Sequence, residues 1–253
     1  LAGNLQAVVF EPDLLSLVKG GPEGRRRFLD SALCQVYRPY LVALRRYTRL
    51  VAQKNALLKS YEITPNASLL LDAYNEQLAQ YGGQIMEHRR KFIAELAPIA
   101  AKNYSEISHD AEVLQLNYQL CANNTTADAL AEKLESVKNA ELRAGFCLAG
   151  PHREDLEIKL DDQPARVFGS QGQQRSCVLA MKLAEASVVG SLFGEHPVLL
   201  LDDVLSELDE GRKQYLLTRM KEKQTFVTSC DDTAFLKTDG EVYRMNGGVL
   251  SRA

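Results

Sequence analysis

The sequence predicts an α/β protein in which a mainly helical segment interrupts the α/β part of the chain. In residues 145–253, short apolar runs alternate with amphipathic stretches, as the strands and helices of an α/β lobe do. In residues 25–144, apolar residues recur every three or four positions over long stretches, which indicates helices. With 253 residues, 45% of them hydrophobic and 25% charged, the chain has the composition of a globular protein.

The first part of the chain, residues 1–24, is predicted to hold one strand and the start of a helix. The run LQAVVF is a short apolar strand, and Glu11 with Pro12 marks a turn and a helix start. The glycine-rich KGGPEG that follows is a bend. This short α/β piece is therefore expected to precede the helical segment.

The helical segment is predicted to contain an antiparallel hairpin. Apolar residues in steps of three and four predict one helix over Arg26–Leu58, kinked at Pro39. The polar TPNAS turn separates it from a second stripe over Leu71–Ile99, so two helices of about 35 residues each are expected. Gly82 and Gly83 are expected to weaken the middle of the second helix.

The rest of the chain alternates predicted strands and helices. EVLQLNYQL alternates apolar and polar residues and predicts a strand with one buried face, and Thr126–Arg143 predicts an amphipathic helix. DLEIKL, PVLLLD, QTFVTS and EVYRM are predicted strands, separated by the helices QQRSCVLAMKLAEASVVGSLF and ELDEGRKQYLLTRMKE. Because PVLLL is apolar at every position, that strand is expected to be covered on both faces.

Several classes of protein are disfavoured by simple counts. The five cysteines are odd in number and far apart, and the four histidines lack H-x-x-x-H spacing, so neither disulfides nor a histidine-built metal site is expected. No apolar run approaches the roughly 20 residues that cross a bilayer, and the N-terminus has no signal-peptide pattern. We therefore expect a cytoplasmic protein that does not contact a membrane.

Two adjacent acids end the most apolar strand. Asp202 and Asp203 follow PVLLL directly, at the edge of the sheet where open α/β folds bind ligands. Two neighbouring carboxylates repel each other, and Mg²⁺ with a phosphate ligand would relieve that repulsion. The alternative is an acidic turn that caps the helix expected near Glu207.

A polar cluster precedes the best-patterned helix. Gly169, Gly172, Ser170 and the neighbouring glutamines lie directly before a helix with an apolar stripe. Helix-start amides and small residues are suited to phosphate oxygens, because the backbone can approach closely and the helix dipole favours anions. A plain loop-to-helix junction is the alternative.

The order of these motifs resembles that of the ABC-type ATPases. GSQGQQRS, LLLDDVLSELD and its Ser-Glu-Leu-Asp ending resemble the signature motif, the Walker B strand and the D-loop. Together with GPHRED and VVFEPDLLSLVKGGPEGRRRFLD, they resemble the RecF family of DNA repair ATPases, and the likeness extends from Leu5 to about Arg244. The resemblance implies an ABC-ATPase-like lobe of the P-loop NTPase class with an inserted helical domain.

The resemblance also implies roles for individual residues. Asp202 would coordinate Mg²⁺, Asp203 would be the catalytic or water-orienting carboxylate, and Asp209 would be the D-loop acid at a dimer interface. Thr228 takes the switch position, where many ABC ATPases carry a histidine, which puts a histidine γ-phosphate sensor in doubt. The signature loop would contact the γ-phosphate of an ATP held mainly by a second subunit and would consist of Ser170, Gln171, Gly172 and Gln173.

One expected motif does not occur in the sequence. None of the 16 glycines is followed by lysine, so there is no G-x-x-x-x-G-K-[ST] phosphate loop, the Walker A motif. The chain is therefore expected to be a fragment that begins inside the N-terminal ATPase lobe and does not hydrolyse ATP well by itself. On this basis we divide it into a remnant of that lobe at 1–24, an inserted helical domain at 25–144 and a C-terminal ATPase lobe at 145–253.

A basic segment stands out against the net charge of -3. Between Arg25 and Lys59 the chain has nine Lys or Arg and one acid, Asp30. Such a segment suits a DNA backbone contacted without sequence reading, although a solvated basic helix face is an equally good interpretation. Arg89, Arg90 and Lys91 could extend it. The candidate DNA-binding residues are Arg25, Arg26, Arg27, Arg45, Arg46 and Arg49.

The resemblance implies a function in DNA repair, recombination, replication and the SOS response. A RecF-like protein dimerises with ATP, engages single- and double-stranded DNA at gaps or junctions, hydrolyses ATP slowly with DNA stimulation, and helps RecO and RecR load RecA. The alternative is a non-catalytic scaffold that binds DNA or a partner; a shortened SMC-type relative is disfavoured by the modest hairpin. His152 and Arg153 of GPHRED receive no catalytic role.

Overall fold

The computed structural model describes residues 5–11, 15–230 and 240–252. The predicted helix start at Glu11 and Pro12 falls partly on residues 12–14, outside the described residues. The first half contains β1 Ala7–Phe10, α1 Ser16–Lys19, α2 Pro22–Val36, α3 Arg38–Lys59, α4 Ala67–Ser108, β2 Leu114–Gln119 and α5 Ala127–Ala144. The second half contains β3 Asp155–Leu160, β4 Gln163–Pro164, α6 Ala165–Phe168, α7 Gln171–Phe193, β5 Val198–Asp202, α8 Glu210–Met220, β6 Thr225–Thr228, β7 Tyr243–Asn246 and β8 Val249–Arg252.

A parallel sheet of order β1-β5-β6 carries the strand that ends in the paired acids. Leu199 and Leu201 of β5 are buried in a cluster with residues of β1, α7 and α8. Val198 and Leu200, on the other face, are only half-buried in the described structure. All three predicted strands of this sheet are confirmed, but only one face of β5 is fully covered, so the expectation that both faces are covered was wrong.

The first predicted helix is in fact two helices. Tyr37 has an extended backbone (φ −125°, ψ 102°) and separates α2 from α3. Pro39 lies in the first turn of α3, where the missing N–H of proline costs nothing and its fixed φ favours the start of a helix. The prediction of one helix kinked at Pro39 was therefore wrong.

The predicted hairpin is formed by α3 and α4, but its arms are unequal, with 22 and 42 residues. The expectation of two helices of about equal length was therefore wrong. Helix α4 continues through Pro98 and packs against α3, α5 and α7. The longer arm thus joins the hairpin to the helix that follows the polar cluster.

Gly82 and Gly83 allow a close helix contact. A Cβ at Gly82 would lie 2.4 Å from Leu130 Cδ2 of α5, and one at Gly83 would lie 2.9 Å from the backbone nitrogen of Ala127. Both distances are shorter than real Cβ contacts, so only glycine lets α5 lie this close to α4. The cost to helix propensity is offset by packing, which the sequence pattern did not reveal.

A second sheet joins the helical segment to the last part of the chain. Strand β2 pairs antiparallel with β3, and β4 completes the order β2-β3-β4. One apolar core runs through α2, α3, α4, α5, the second sheet and α7. The predicted domain boundaries at residues 24 and 144 therefore stay a proposal. Neither the second sheet nor the apolar core is divided at residue 144.

An ion pair is fully buried inside the helical segment. Lys54 Nζ of α3 lies 2.6 Å from Glu141 Oε2 of α5, and neither side chain is exposed to solvent. The other oxygen of Glu141 accepts a hydrogen bond from the backbone N–H of Leu148 at 2.8 Å. Lys54 is therefore not part of the basic surface that the sequence suggested.

Helix α7 is the one helix, among the described residues, long and apolar enough to cross a membrane. Its most apolar window is 78% buried inside the protein. That burial is typical of the core helix of a globular fold, since α7 packs between α4 and the parallel sheet.

Candidate nucleotide site and basic surface

The carboxyl end of β5 brings three of the predicted site residues together. Thr228 of β6 is the sheet partner of Asp202, and its hydroxyl donates a hydrogen bond to Asp202 Oδ1 at 2.6 Å. The same hydroxyl accepts a hydrogen bond from the backbone N–H of Asp203 at 3.1 Å. The hydroxyl of Thr228 therefore orients the carboxylate of Asp202 and holds the backbone of Asp203, which a histidine at the same position could not do in this way, because neutral imidazole has its donor and acceptor on different nitrogens.

Asp203 has an uncommon conformation. Its φ of 48° lies in the left-handed region, which Asp tolerates better than most residues. Its Oδ1 is buried and has no hydrogen-bond partner among the described residues. A buried carboxylate oxygen without a partner is costly, so this atom is suited to a ligand that supplies positive charge or a proton donor.

The donor set fits Mg²⁺. Asp202 and Asp203 offer carboxylate oxygens at the edge of the sheet, and Mg²⁺ is bound through one or two carboxylates, waters and phosphate oxygens. In residues 5–11, 15–230 and 240–252, no group of three or more His, Cys, Asp or Glu could hold a metal on its own. A metal here would therefore depend on oxygens from a nucleotide.

The polar cluster is a capped helix start. Ser170 is the N-cap of α7: its hydroxyl oxygen accepts from the N–H of Gln173 at 3.2 Å, and the Gln173 side chain accepts from the N–H of Ser170 at 2.6 Å. The Ser170 O–H remains a donor, and the amides of Gln171 and Gly172 have no intrahelical partner at a helix start. These three groups suit a phosphate.

The side chain of Gln173, by contrast, already makes hydrogen bonds inside the protein. Its oxygen is used in the capping box, and its nitrogen donates to Glu112, which also accepts from Tyr104 of α4 at 2.7 Å. The Gln173 side chain would have to give up one of these hydrogen bonds to contact a nucleotide, and that contact stays a prediction. The structure gives this side chain the role of fixing the loop to the body of the protein.

Sequence reasoning missed a second glutamine. The buried side chain of Gln174 donates to the backbone carbonyls of Ala165 (3.0 Å) and Gly169 (3.1 Å), and so holds the segment before the cap in place. A polar residue inside an otherwise apolar helix stripe was the available signal. The sequence pattern could not show which backbone carbonyls the Gln174 side chain would contact.

The D-loop lies against the same helix. Asp209 is the N-cap of α8 and accepts from the N–H of Arg212 at 3.0 Å, which with the charge of Arg212 lowers the pKa of Asp209. Glu207, just before it, forms an ion pair with Arg175 in α7. The structure thus brings the signature loop and the D-loop together, whereas Asp202, Asp203 and Thr228 form their own group at the sheet edge.

The basic segment divides into buried and exposed residues. Arg25 is buried, pairs with Asp155 through two hydrogen bonds of 2.7 and 2.8 Å, and is therefore removed from the candidate DNA contacts. Arg89 is buried as well, with Asp30 as its partner at 2.7 Å.

Arg90 and Lys91 both pair with Glu87, so they do not extend the patch in the way the sequence suggested. The partners of Arg25 and Arg89 could not be predicted because they lie 130 and 59 residues away, whereas Glu87 is close in sequence to Arg90 and Lys91.

The exposed arginines lie mainly on α3. Arg45, Arg46 and Arg49 are exposed there, and Arg46 stacks near the ring of Tyr81, 5.4 Å from its centroid. Arg45 and Arg49 make no ion pair within the described part of the chain. Arg27 is exposed on α2 but pairs with Glu23, and Arg26 is half-buried and donates to a backbone carbonyl at 2.7 Å.

The GPHRED turn is structural in the described residues. His152 Nδ1 lies 2.6 Å from the hydroxyl of Tyr47, and Arg89 donates to the carbonyl of Pro151 at 2.8 Å. Arg153 donates two hydrogen bonds to the carbonyl of Cys147, the shorter one 2.8 Å. Burial lowers the pKa of His152 to about 4, so its imidazole is neutral at pH 7. The turn ties both hairpin helices to the second sheet.

The fold and the arranged motifs define the head domain of an ABC-type ATPase. A solved Smc head domain from Pyrococcus furiosus has a TM-score of 0.50 to this chain at 15% identity, covering 98% of this chain and 61% of that one, which supports the fold alone. A solved structure of the recombination mediator protein RecF with ATP, in the RecFOR pathway, has a TM-score of 0.89 at 30% identity and covers 100% of this chain and 68% of that one.

Curated relatives give the family. RecF of Symbiobacterium thermophilum is 40% identical over 264 residues, covering 99% of this chain and 69% of its own length. RecF of Acetivibrio thermocellus is 37% identical over 242 residues, covering 93% and 66%. The chain belongs to the RecF family of DNA replication and repair proteins. It spans about two thirds of the length of these relatives, and no protein-family model matches it.

Proposed function

We propose that this chain supplies the signature, Walker B and D-loop surfaces of a RecF-type DNA repair ATPase. Membership in the RecF family supports the repair role. The observation that carries the nucleotide role is the buried Oδ1 of Asp203, which lacks a partner among the described residues beside an Asp202 oriented by Thr228. The cofactors proposed are ATP and Mg²⁺.

Mg²⁺, when bound with ATP, would neutralise the negative charge that develops on the phosphoryl oxygens. Asp202 would hold the metal, and Thr228 keeps its carboxylate in one orientation by donating to Oδ1. Asp203 would orient the attacking water and accept its proton, since its buried oxygen has an unused lone pair. The hydrogen bond from the backbone N–H of Asp203 to the hydroxyl of Thr228 holds the backbone of Asp203 at the sheet edge.

The signature loop is proposed to bind the γ-phosphate of an ATP held mainly by a second subunit. Ser170 would donate its O–H, and the first amides of α7, those of Gln171 and Gly172, would add two N–H donors. The positive end of the α7 dipole favours the same anion. Dimerisation with ATP follows from this arrangement, because each site needs residues from both subunits.

The exposed stripe of Arg45, Arg46 and Arg49 is proposed as the DNA contact. Guanidinium groups on one helix face suit the phosphate backbone of single- or double-stranded DNA, whatever its base sequence. Arg26 and Arg27 stay secondary candidates because both already have partners inside the fold.

The pathway context follows from the family. We propose that the complete protein engages gaps or junctions, hydrolyses ATP slowly under DNA stimulation and helps RecO and RecR load RecA. A place in the SOS response and a cytoplasmic, nucleoid-associated location belong to the same proposal. The solved RecF relative is described as part of the RecFOR pathway, which supports it.

The test is sedimentation of the chain extended to the length of its RecF relatives, with and without ATP and Mg²⁺. ATP is expected to produce dimers, and Ser170→Arg is expected to abolish them by placing a bulky side chain in the phosphate position. Ser136→Arg, at an exposed position of α5, is the matched control and should dimerise normally. Dimers that persist in Ser170→Arg would contradict the signature role.

A second variant tests the acid at the sheet edge. Asp203→Asn is expected to preserve ATP binding and dimerisation while slowing hydrolysis by about 100-fold, the usual contribution of a positioned general base. Turnover equal to that of the unchanged protein would remove Asp203 from the catalytic role and leave it as a structural residue.

The competing function is a non-catalytic scaffold that binds DNA or a protein partner. The absence of a G-x-x-x-x-G-K-[ST] motif from the printed sequence favours it for this chain by itself. The same sedimentation experiment separates the two, since a scaffold remains indifferent to ATP even when the chain is extended.

A further inference from the structure

Arg212, in the first turn of α8, connects the two segments that carry the predicted dimer contacts. Its Nε donates to the hydroxyl of Ser176 at 2.8 Å, and its Nη2 donates to the carbonyl of Gly172 at 3.0 Å. Its Nη1 pairs with Asp209, whose carboxylate also caps α8 through the N–H of Arg212. One guanidinium therefore bridges the signature loop and the D-loop.

The contact is closely fitted on the signature side. Ser176 is buried, and its hydroxyl accepts from Arg212 while donating to the carbonyl of Gly172 at 3.2 Å. That carbonyl accepts from both side chains, so the three groups form a closed hydrogen-bonded set. A Cβ at Gly172 would lie 3.3 Å from Nη2 of Arg212, so a larger residue at that position would require the guanidinium to shift by a few tenths of an ångström.

Arginine is required for this geometry. Its planar fork presents donors in several directions at once, so it can reach a hydroxyl, a carbonyl and a carboxylate from one fixed position. Lysine keeps the charge but places all its donors on one nitrogen. The ion pair of the half-buried Arg212 with the exposed Asp209 adds little to folding stability, because solvent screens it and both side chains lose freedom. We therefore expect the pair to affect how Asp209 and the start of α7 are oriented relative to each other.

We propose that Arg212 is a positioning residue for the nucleotide-driven dimer. It holds Asp209 and the phosphate-binding end of α7 in one fixed relation, so that a second copy of the chain with its nucleotide meets both at the same time. Without it, the two segments must be ordered when the subunits associate, which weakens association. This inference rests on the proposed function, since it needs an ATP-dependent dimer.

The experiment uses the chain extended to the length of its RecF relatives and compares Arg212→Lys with Arg219→Lys. Arg219 lies on the same helix and pairs with Glu106, away from both loops, so it is a matched control. Three quantities are measured: the affinity of the monomer for ATP, the dimer dissociation constant in ATP and Mg²⁺, and the melting temperature.

Arg212→Lys is expected to raise the dimer dissociation constant by about tenfold or more while the other two quantities stay unchanged, and Arg219→Lys is expected to change none of them. A dimer constant within about twofold of the unchanged protein overturns the proposal. So does weaker dimerisation that comes with a lower melting temperature and a loss of monomer affinity, since that reports general damage to the fold.

A second variant tests the same bridge in case Arg212→Lys does not fold. Ser176→Ala removes the acceptor for Nε and leaves the D-loop pair intact, so it should weaken dimerisation in the same direction and by a smaller factor. Unchanged dimerisation in Ser176→Ala contradicts the bridge. If the unchanged protein does not dimerise with ATP, the proposed function fails together with this inference. If the unchanged protein dimerises with ATP and Ser170→Arg prevents this, the dimer dissociation constants of Arg212→Lys and Ser176→Ala decide whether Arg212 is a positioning residue.

Discussion

The buried ion pair between Lys54 and Glu141 allows a stability prediction. Replacing Lys54 with methionine keeps most of the volume but leaves the carboxylate of Glu141 without its partner, 2.6 Å away in the native protein. Because neither side chain is exposed, water cannot compensate, and loss of one partner of such a pair costs about 3–5 kcal/mol. For a chain of this length each kcal/mol lowers the melting temperature by about 2–4 °C, so the midpoint should fall by roughly 10 °C.

The assays are urea unfolding for the free energy and thermal unfolding for the midpoint, both followed by circular dichroism. Lys59→Met, an exposed lysine at the end of the same helix, is the control and should change stability by less than about 0.5 kcal/mol. The double variant Lys54→Met with Glu141→Gln removes both charges and keeps an acceptor for the N–H of Leu148, so it should recover at least half of the loss. A loss below about 1 kcal/mol in Lys54→Met, or no recovery in the double variant, would refute the reasoning.

Three further predictions concern packing, pH and DNA. Gly82→Ala places a Cβ 2.4 Å from Leu130 Cδ2, so unfolding experiments should find a loss of about 1–3 kcal/mol; a neutral result would contradict the tight helix contact. The lowered pKa of His152 means that the unfolded chain binds a proton more tightly than the folded one. The free energy of unfolding should therefore fall by about 2 kcal/mol from pH 7 to pH 5, and His152→Gln should remove that part of the fall. Replacing Arg45 and Arg49 with glutamine should reduce the slope of log K against log salt for duplex DNA by about two, and an unchanged slope would exclude them as phosphate contacts.

Local elements were predictable because their signals are local. The alternation in β2, the apolar run of β5 and the amphipathic pattern of α5 depend on a few neighbouring residues, and the structure confirms each of these elements. The break at Tyr37 was missed because periodicity continues across it. Proline favours a first turn as readily as it kinks a helix, and only the packing of α2 and α3 decides between these outcomes.

The candidate site was predictable in its motifs but not in its supporting contacts. The two acids at the end of β5 and the polar cluster directly before α7 follow from residue type and order. The partner of Arg25 could not be predicted, because Asp155 lies 130 residues away and only the fold brings the two together. Arg212 had one local signal, its spacing of three residues from the cap at Asp209, and that signal says nothing about the signature helix.

The parallel pairing of β1 with β5 has a consequence for how the chain folds. Ala7 lies opposite Val198, so the sheet joins segments separated by roughly 190 residues, and loop-closure entropy makes such pairing slow. During synthesis, β1 leaves the ribosome long before its partner strand exists, while the hairpin of α3 and α4 consists of local contacts. The hairpin is therefore expected to form first, and the sheet edge that carries Asp202 is expected to assemble only after β5 has been translated.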